Sequence, residues 1–403
     1  MLKVTNVRVP LGADDGELLE RVARTLRLKV GDVKQTRILR KSLDIRDRAR
    51  LEHVYTMAVA VDDESRLLQS LGPGRVALYA PAKFDWPEPG LAPLERPPIV
   101  VGAGPAGLFA AYQLAAHGYK PILLERGKQV SDRIPDAKAF DAGGPLDPES
   151  NYLFGEGGAG TFSDGKLTCR STGPDTEKVL EIFSVSKGKP SILYEAKPHL
   201  GSNRLPAVVK SLRRQILAMG GEVRFGVRVD DLEIEAGRVV GVNTNAGRIA
   251  ADVVILAIGH SARDTYRMLQ HRGVPMSPKP FQMGVRIEQP QENVTLAQYG
   301  SGPQRTLLGP ADYTMKVRAG ERELFTFCMC AGGYVMPSVS QAGFYCTNGM
   351  SRSKHESPYA NSGLVVTVDP AALGPEFGGD ALAGMRYQVA IEAKAFASAG
   401  GDY

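Results

Sequence analysis

The stretch from Pro97 to Gly127, PPIVVGAGPAGLFAAYQLAAHGYKPILLERG, limits the possible folds more than any other part of the chain. A short β-branched run, Ile99-Val100-Val101, leads into three glycines at G-x-G-x-x-G spacing, Gly102, Gly104 and Gly107. The apolar residues from Ala106 to Ala116 read as a helix, Gly118 stops it, and a second strand, Pro121 to Leu124, ends on Glu125. Strand, glycine turn, helix, strand and acid in this order form the βαβ unit that holds a dinucleotide. The glycines let the backbone turn tightly and let a pyrophosphate reach the first helical N–H groups. Those groups lack partners inside the helix and sit at the positive end of its dipole. An acid at the end of the second strand is placed to accept from ribose hydroxyls. A glycine turn alone says little, but here every neighbouring element that the motif requires is present.

Composition sets the outer bounds. A chain of 403 residues, 43% hydrophobic and 23% charged, suggests two or three ordinary globular domains. A net charge of +5 is too mild over this length to imply a nucleic-acid partner. The N-terminus, MLKVTNVRVPLGADDG, has no apolar segment of signal-peptide type, and no apolar run approaches the roughly 20 residues of a membrane helix. Cys169, Cys328, Cys330 and Cys346 follow neither a disulfide framework nor a metal-ligand spacing, so no metal is expected and a reducing cytoplasm is.

Residues 1–85 read as a separate unit with strands at Leu2–Val9, Val33–Lys41, Leu51–Val61 and Arg75–Ala80 and helices at Asp15–Leu28 and Glu64–Leu71. That βαββαβ order is the ferredoxin-like pattern. The connection between its middle strands is basic, with Lys34, Arg37, Arg40, Lys41, Arg46, Arg48 and Arg50 against Asp44 and Asp47. A solvated hairpin is favoured there over a nucleic-acid surface, since no stacking aromatics accompany the charges. Residues 86–97 are Pro-rich and read as a linker. Lys128–Pro148 shows no clear period. Asn151–Lys166, NYLFGEGGAGTFSDGK, repeats the glycine spacing at Gly155, Gly157 and Gly160, but no helix, strand and acid follow. It reads as a loop closing over a cofactor held by the first motif, with the backbone at Gly157 and Gly158 and the side chains of Thr161, Ser163 and Lys166 reaching its oxygens. A helix at Leu205–Ala218, strands at Glu222–Phe225, Val229–Glu235 and Arg238–Thr244, and a buried run Ala251–Gly259 then return the chain to the first unit.

The runs Pro97–Gly127 and Gly201–Gly259 together resemble the glutathione-reductase-like FAD-binding flavoproteins. GEGGAGTFSDGKL (155–167), KPHLGSNRL (197–205), AIGHSARDT (257–265), FCMCAGGYV (327–335) and TNGMS (347–351) are similar to a bacterial group of FAD-dependent dehydrogenases of unestablished substrate. The resemblance implies an α/β fold: a Rossmann-like FAD-binding domain over 98–275, an inserted mixed or antiparallel substrate sheet over 276–366, an N-terminal α+β ferredoxin-like domain, and a return helix in 367–403. It implies pyrophosphate contacts at Gly102, Gly104, Pro105, Ala106 and Gly107, a ribose contact at Glu125, Arg126 alongside the adenosine, a backbone contact to adenine at Val229, and a strand ending against the cofactor at Gly259. Such flavoproteins carry a later glycine-rich segment against the flavin ring. This chain ends at GGDY without one, so it reads as C-terminally truncated.

In the inserted region, strands are expected at Phe281–Glu288, Tyr313–Arg318, Glu323–Met329 and Gly343–Thr347, and a helix at Leu382–Ala397. Three residues there and nearby are candidates for the chemistry. Cys328 and Cys330 share one strand face and could form a redox pair, although packing as small buried hydrophobes is the favoured reading. His260, after Gly259, could move a proton near the flavin or simply bond to backbone. The expected activity is hydride or electron transfer between a small-molecule substrate and FAD. With one dinucleotide fingerprint, NAD(P)H would act only as a transient reductant. The alternatives are a nucleic-acid-associated flavoprotein and a non-catalytic FAD-binding module. Oligomeric state is not encoded in these patterns.

Overall fold

A computed structural model describes every residue except Pro73, Ala82 and Arg170. Six elements open the chain: β1 (Leu2–Pro10), α1 (Asp15–Leu26), β2 (Gln35–Asp44), β3 (Glu52–Ala60), α2 (Glu64–Leu71) and β4 (Val76–Leu78). Asp14 caps α1 by accepting from the Glu17 N–H, and Leu18, Val22 and Leu26 form its buried stripe. The strands pair antiparallel in the order β2-β3-β1-β4. Both helices pack on one face of this sheet, over Leu2, Val4, Tyr55, Met57 and Val59.

The second body starts with β5 (Ile99–Val101), α3 (Pro105–Ala116) and β6 (Ile122–Glu125). It continues through α4 (Val130–Asp141), α5 (Pro174–Val185), α6 (Leu205–Ala218) and β7 (Glu222–Phe225). A meander of β8 (Val229–Glu235), β9 (Arg238–Thr244) and β10 (Gly247–Ala250) precedes β11 (Val254–Leu256) and α7 (Arg263–His271). Strands β11-β5-β6-β7 form a parallel sheet. On one face, Leu108, Ala111 and Ala115 of α3 meet Val208, Leu212 and Ile216 of α6 over Val100 and Leu123. On the other, Val229, Leu232, Val242 and Leu269 cover Ile99, Val101 and Leu124. With both faces covered, these strands read as continuous apolar runs.

The third body holds β12 (Phe281–Pro290), α8 (Gln291–Tyr299), β13 (Lys316–Ala319), β14 (Arg322–Cys330), β15 (Gly333–Pro337), β16 (Thr347–Ser351) and β17 (Tyr359–Val368), followed by α9 (Ala383–Ser398). The antiparallel order β12-β17-β14-β13 makes a cap sheet, with β15 and β16 as a separate ribbon. The strand expected at Gly343–Thr347 lies instead at Thr347–Ser351. The run Ala251–Gly259 contributes only Val254–Leu256 to a strand, because the chain turns away into the cleft described below.

Two helices without an evident sequence period, α4 and α5, complete the second body. Helix α4 buries Val130, Arg133, Ala137 and Phe140. Arg133 is wholly buried: its Nε donates to the Asn151 carbonyl at 2.7 Å, and its Nη1 to the Glu156 carbonyl at 2.9 Å and to Thr161 Oγ1 at 3.3 Å. Its guanidinium therefore shapes the loop between α4 and α5. Replacing Arg133 by Met strands those acceptors and removes one of the two guanidinium charges beside buried Glu156, leaving Arg213 alone there. Urea unfolding of Arg133→Met is expected to show a loss of about 3–5 kcal/mol; a loss under about 1 kcal/mol would show that the guanidinium does not hold the loop.

Candidate cofactor-binding cleft

The carboxyl edge of the parallel sheet opens into a cleft of about 470 Å³. Its floor is the β5–α3 turn. Gly102 has φ +99°, and a Cβ there would come within 2.5 Å of the Ala257 carbonyl; a Cβ on Gly107 would overlap the Gly102 carbonyl. Only glycine fits both places, which lets β5, α3 and the chain after β11 close up. Gly104 is the N-cap of α3 and has no side chain to cap it, and Pro105 occupies the first turn. The start of α3 at Gly104, Pro105 and Ala106 thus lines the cleft with the Ala106 amide as an open donor, a ready site for an anion.

Glu125 is buried at the end of β6. One carboxylate oxygen accepts from the Ala103 N–H at 2.7 Å, the other from Gly127 at 2.9 Å and Gly155 at 3.0 Å. A carboxylate offers about four acceptor positions, so one remains for a ligand on the cleft side. Arg126 stacks on the Phe154 ring with its Cζ 4.3 Å from the centroid, grips Glu149 at 2.6 and 3.0 Å, and reaches Asp264 at 3.0 Å. Val229 and Gly259 line the wall opposite the turn. His260 faces the open cleft with Nδ1 3.0 Å from Ser261 Oγ, and crowding by the walls holds its imidazole below the usual range.

The 151–166 loop meets the turn as well, though by its backbone. The Gly157 N–H donates to the Ala103 carbonyl at 2.8 Å, and Gly158, with Ala159 and Gly160, forms one lip of the cleft. Thr161, Ser163 and Lys166 are turned elsewhere. Thr161 Oγ1 is buried against the Glu156 carbonyl at 2.9 Å, Ser163 Oγ bonds to the Gly160 carbonyl at 2.7 Å, and the Lys166 ammonium pairs with Asp164. None of these three side chains lines the cleft. Gly157 itself lies behind the lip, facing Thr161 and Val209.

Lys166 belongs to a second cluster that the sequence does not announce. Asp164 is buried with Ser351 Oγ as a hydrogen-bond donor and His199 Nε2 3.6 Å away, and the His199 and His355 rings stack at 4.4 Å. Burial raises the Asp164 carboxyl, but the His199 hydrogen bond and the Lys166 charge outweigh it and keep it well below the usual range. Cys328 and Cys330 adjoin this cluster from the cap sheet.

Comparison with known proteins places this geometry. The profile described as pyridine nucleotide-disulphide oxidoreductase matches residues 97–266, FAD dependent oxidoreductase matches 200–334, and FAD-dependent protein, C-terminal domain-like, matches 280–403. A domain of unknown function matches 1–60. An uncharacterized protein of Clostridium beijerinckii is 36% identical over 404 aligned residues, taking in the whole of this chain and 75% of that protein. The chain belongs to the FAD-dependent oxidoreductases. This flavoprotein is also 29% identical over 197 residues to the thiamine thiazole synthase of Aeropyrum pernix (45% of this chain, 60% of that one), and 30% identical over 197 residues to FixC of Escherichia coli strain K12 (47% and 42%). It therefore spans three quarters of the Clostridium protein and a smaller share of the others. A solved structure of NikD superposes on 69% of the chain at 15% identity with a TM-score of only 0.31.

FAD fits the residues present: an uncapped helix start for its phosphates, a buried acid with an open acceptor position, and glycines that let the turn close up beneath the cleft. In the flavoprotein variant Glu125→Gln, one carboxylate oxygen becomes an NH₂ facing N–H donors. Flavin-fluorescence titration is expected to show FAD binding weakened at least about tenfold, alongside a stability loss of roughly 1.5–3 kcal/mol. Unchanged binding would separate Glu125 from the cofactor.

Proposed function

We propose that the flavoprotein is a dehydrogenase that passes hydride between a small organic substrate and FAD, with the dinucleotide lying along the cleft from the α3 turn to Val229. The open amide at Ala106 and the buried Glu125 carboxylate, both lining the cleft, carry this reading. In it, Gly102, Gly104, Pro105, Ala106 and Gly107 hold the pyrophosphate, Glu125 the ribose, and Arg126 and Val229 flank the adenosine. Gly158 and Gly259 border the same groove. The match over 97–266 supports a glutathione-reductase-like form of the unit, and the β2-β3-β1-β4 order supports a ferredoxin-like N-terminal domain. Bound FAD supplies the hydride acceptor. The protein's part is to bind it, exclude water and place a proton carrier.

His260 is the residue in the cleft suited to the last task. It stays neutral near pH 7 and can accept a proton as substrate is oxidised. Four unbridged cysteines fit a reducing cytoplasm, and no described helix is long and apolar enough to cross a membrane. The mild net charge keeps nucleic acid a disfavoured partner.

Anaerobic mixing of the FAD-loaded protein with NADH, NADPH and a panel of small alcohols, amines and 2-hydroxy acids is the test. Bleaching of the flavin by at least one donor is expected. Its rate should fall on the acid side as His260 protonates, and His260→Gln should slow it by about 10²-fold and remove that acid limb. A flavin that no donor reduces would make the chain a non-catalytic binding module.

A further inference from the structure

Strand β14 is irregular where its two cysteines lie. Phe327 pairs with Gly363 and Cys330 with Asn361, so three steps along β14 match two along β17 and one residue bulges out. Cys328 sits in the bulge at φ +45°, a conformation that non-glycine residues rarely adopt. Arg286 fixes it there, donating from Nη1 to the Cys328 carbonyl at 3.2 Å and to Asn361 Oδ1 at 2.7 Å. In a regular strand, residues two apart lie about 6.6 Å from one another, near the upper limit for a disulfide. The bulge breaks that regular spacing. Cys330 Sγ comes within 3.4 Å of the Cys328 carbonyl oxygen. Strain retained at a reactive side chain is what a functional position shows.

The surroundings divide the two sulfurs by role. Cys328 is half-buried and Cys330 fully buried. The neighbouring Cys330 thiol, with the positive charges of Lys166 and Arg286, holds the Cys328 thiol below its ordinary value, against burial and the Asp164 carboxylate. Cys328, burial and Asp164 push the Cys330 thiol up. An accessible thiolate in front of a protonated partner is the arrangement for attack followed by resolution.

We propose that Cys328 and Cys330 form a thiol–disulfide exchange centre that takes a disulfide as substrate. The Cys328 thiolate attacks one sulfur of the substrate, the substrate S–S bond breaks, and one substrate thiolate leaves, giving a mixed disulfide. Cys330 loses its proton to water and attacks Cys328 Sγ. The second substrate thiolate leaves and a Cys328–Cys330 disulfide remains. The protein dithiol is oxidised by two electrons and the substrate disulfide is reduced by two. This site lies outside the FAD reading and does not require it.

The probe is an aromatic disulfide, dithiobis(nitrobenzoate), applied to the full chain with the exposed thiols removed as Cys169→Ser and Cys346→Ser. Release of two aryl thiolates, no retained aryl group and a Cys328–Cys330 crosslink in the peptide map are expected. Adding Cys330→Ser should stop the reaction with the aryl group on Cys328. Lys166→Met should raise the pH midpoint of the reaction and slow it at pH 7 as the thiolate fraction there falls, by about twofold for a one-unit rise from near pH 6, while Lys166→Arg should retain most of the rate. The proposal is overturned if both thiols react only after unfolding, if each keeps its own aryl group, or if Lys166→Met reacts as fast as the parent. Flavin absorbance is read on the same samples. Crosslinking without bound flavin would sink the FAD reading alone, and inert thiols in a flavin-loaded protein would sink this one alone.

Discussion

One carboxylate ties the cleft together. Glu125 gathers the amides of Ala103, Gly127 and Gly155, so the glycine turn, the chain leaving β6 and the lip loop share a single buried acceptor. Each of those N–H groups would otherwise be an unpaired donor in a desolvated place. A charged acceptor with several amide partners makes strong, geometrically fixed bonds. The turn is therefore held before any ligand arrives, which lowers the ordering cost of binding one. Gly155 adds a steric condition. A Cβ there would meet the Arg133 side chain at 2.5 Å, so the loop reaches Glu125 only because that position is bare.

Behind this contact lies a second buried charge system, and the two are mechanically joined. Glu156 is fully buried. One of its oxygens accepts from the Val130 N–H at 2.8 Å and so satisfies the start of α4, a cap supplied from a distant residue rather than from the local sequence. The other accepts from Arg213 on α6 at 2.8 Å. Arg133, one turn into α4, holds the backbone on either side of Glu156. The loop is thus clamped from both helices while its backbone turns toward the cleft, which is why its side chains are engaged internally.

This explains what was and was not legible in the sequence. The β5–α3–β6 unit could be read because each of its signals is local: a backbone that only glycine can follow at Gly102, a proline opening the helix, an acid closing the strand. The glycines of the 151–166 loop were equally visible, but the aim of Thr161, Ser163 and Lys166 depends on α4, and α4 hid its period. Its buried positions, Val130, Arg133, Ala137 and Phe140, fall at helical spacing, yet an arginine and an internal Pro135 break the apolar stripe that would announce it. Helix α5 buries only Ile182, too little to leave a pattern. The grouping of Asp164, His199, Ser351 and His355 draws on three separate stretches of the chain, and no spacing rule connects them. The bulge at Cys328 was likewise invisible, since a period-two reading assumes the regular strand that the bulge interrupts.

The basic hairpin shows the same dependence on partners that are remote in sequence. Arg8 bridges Asp44 and Glu52 at 2.9 and 3.2 Å, Arg46 pairs with Asp44, Arg50 with Glu52, and Arg48 donates to the Ala297 carbonyl. Exposed pairs of this kind contribute about 0–1 kcal/mol each, so they orient the hairpin more than they fix it. Apolar burial fixes it: Leu51 sits among Val294, Tyr299, Tyr313 and Met329 of the cap body. Main-chain bonds add a second anchor, from Lys41 N–H to the Tyr194 carbonyl at 2.7 Å and from Ala196 N–H to the Lys41 carbonyl at 2.8 Å. Residue 196 lies just before the segment that carries His199, and Met329 lies between the two cysteines of β14. The N-terminal unit therefore packs against both the segment before His199 and the strand carrying the cysteines, and Arg46, Arg48 and Arg50 of its basic hairpin find their partners within the chain.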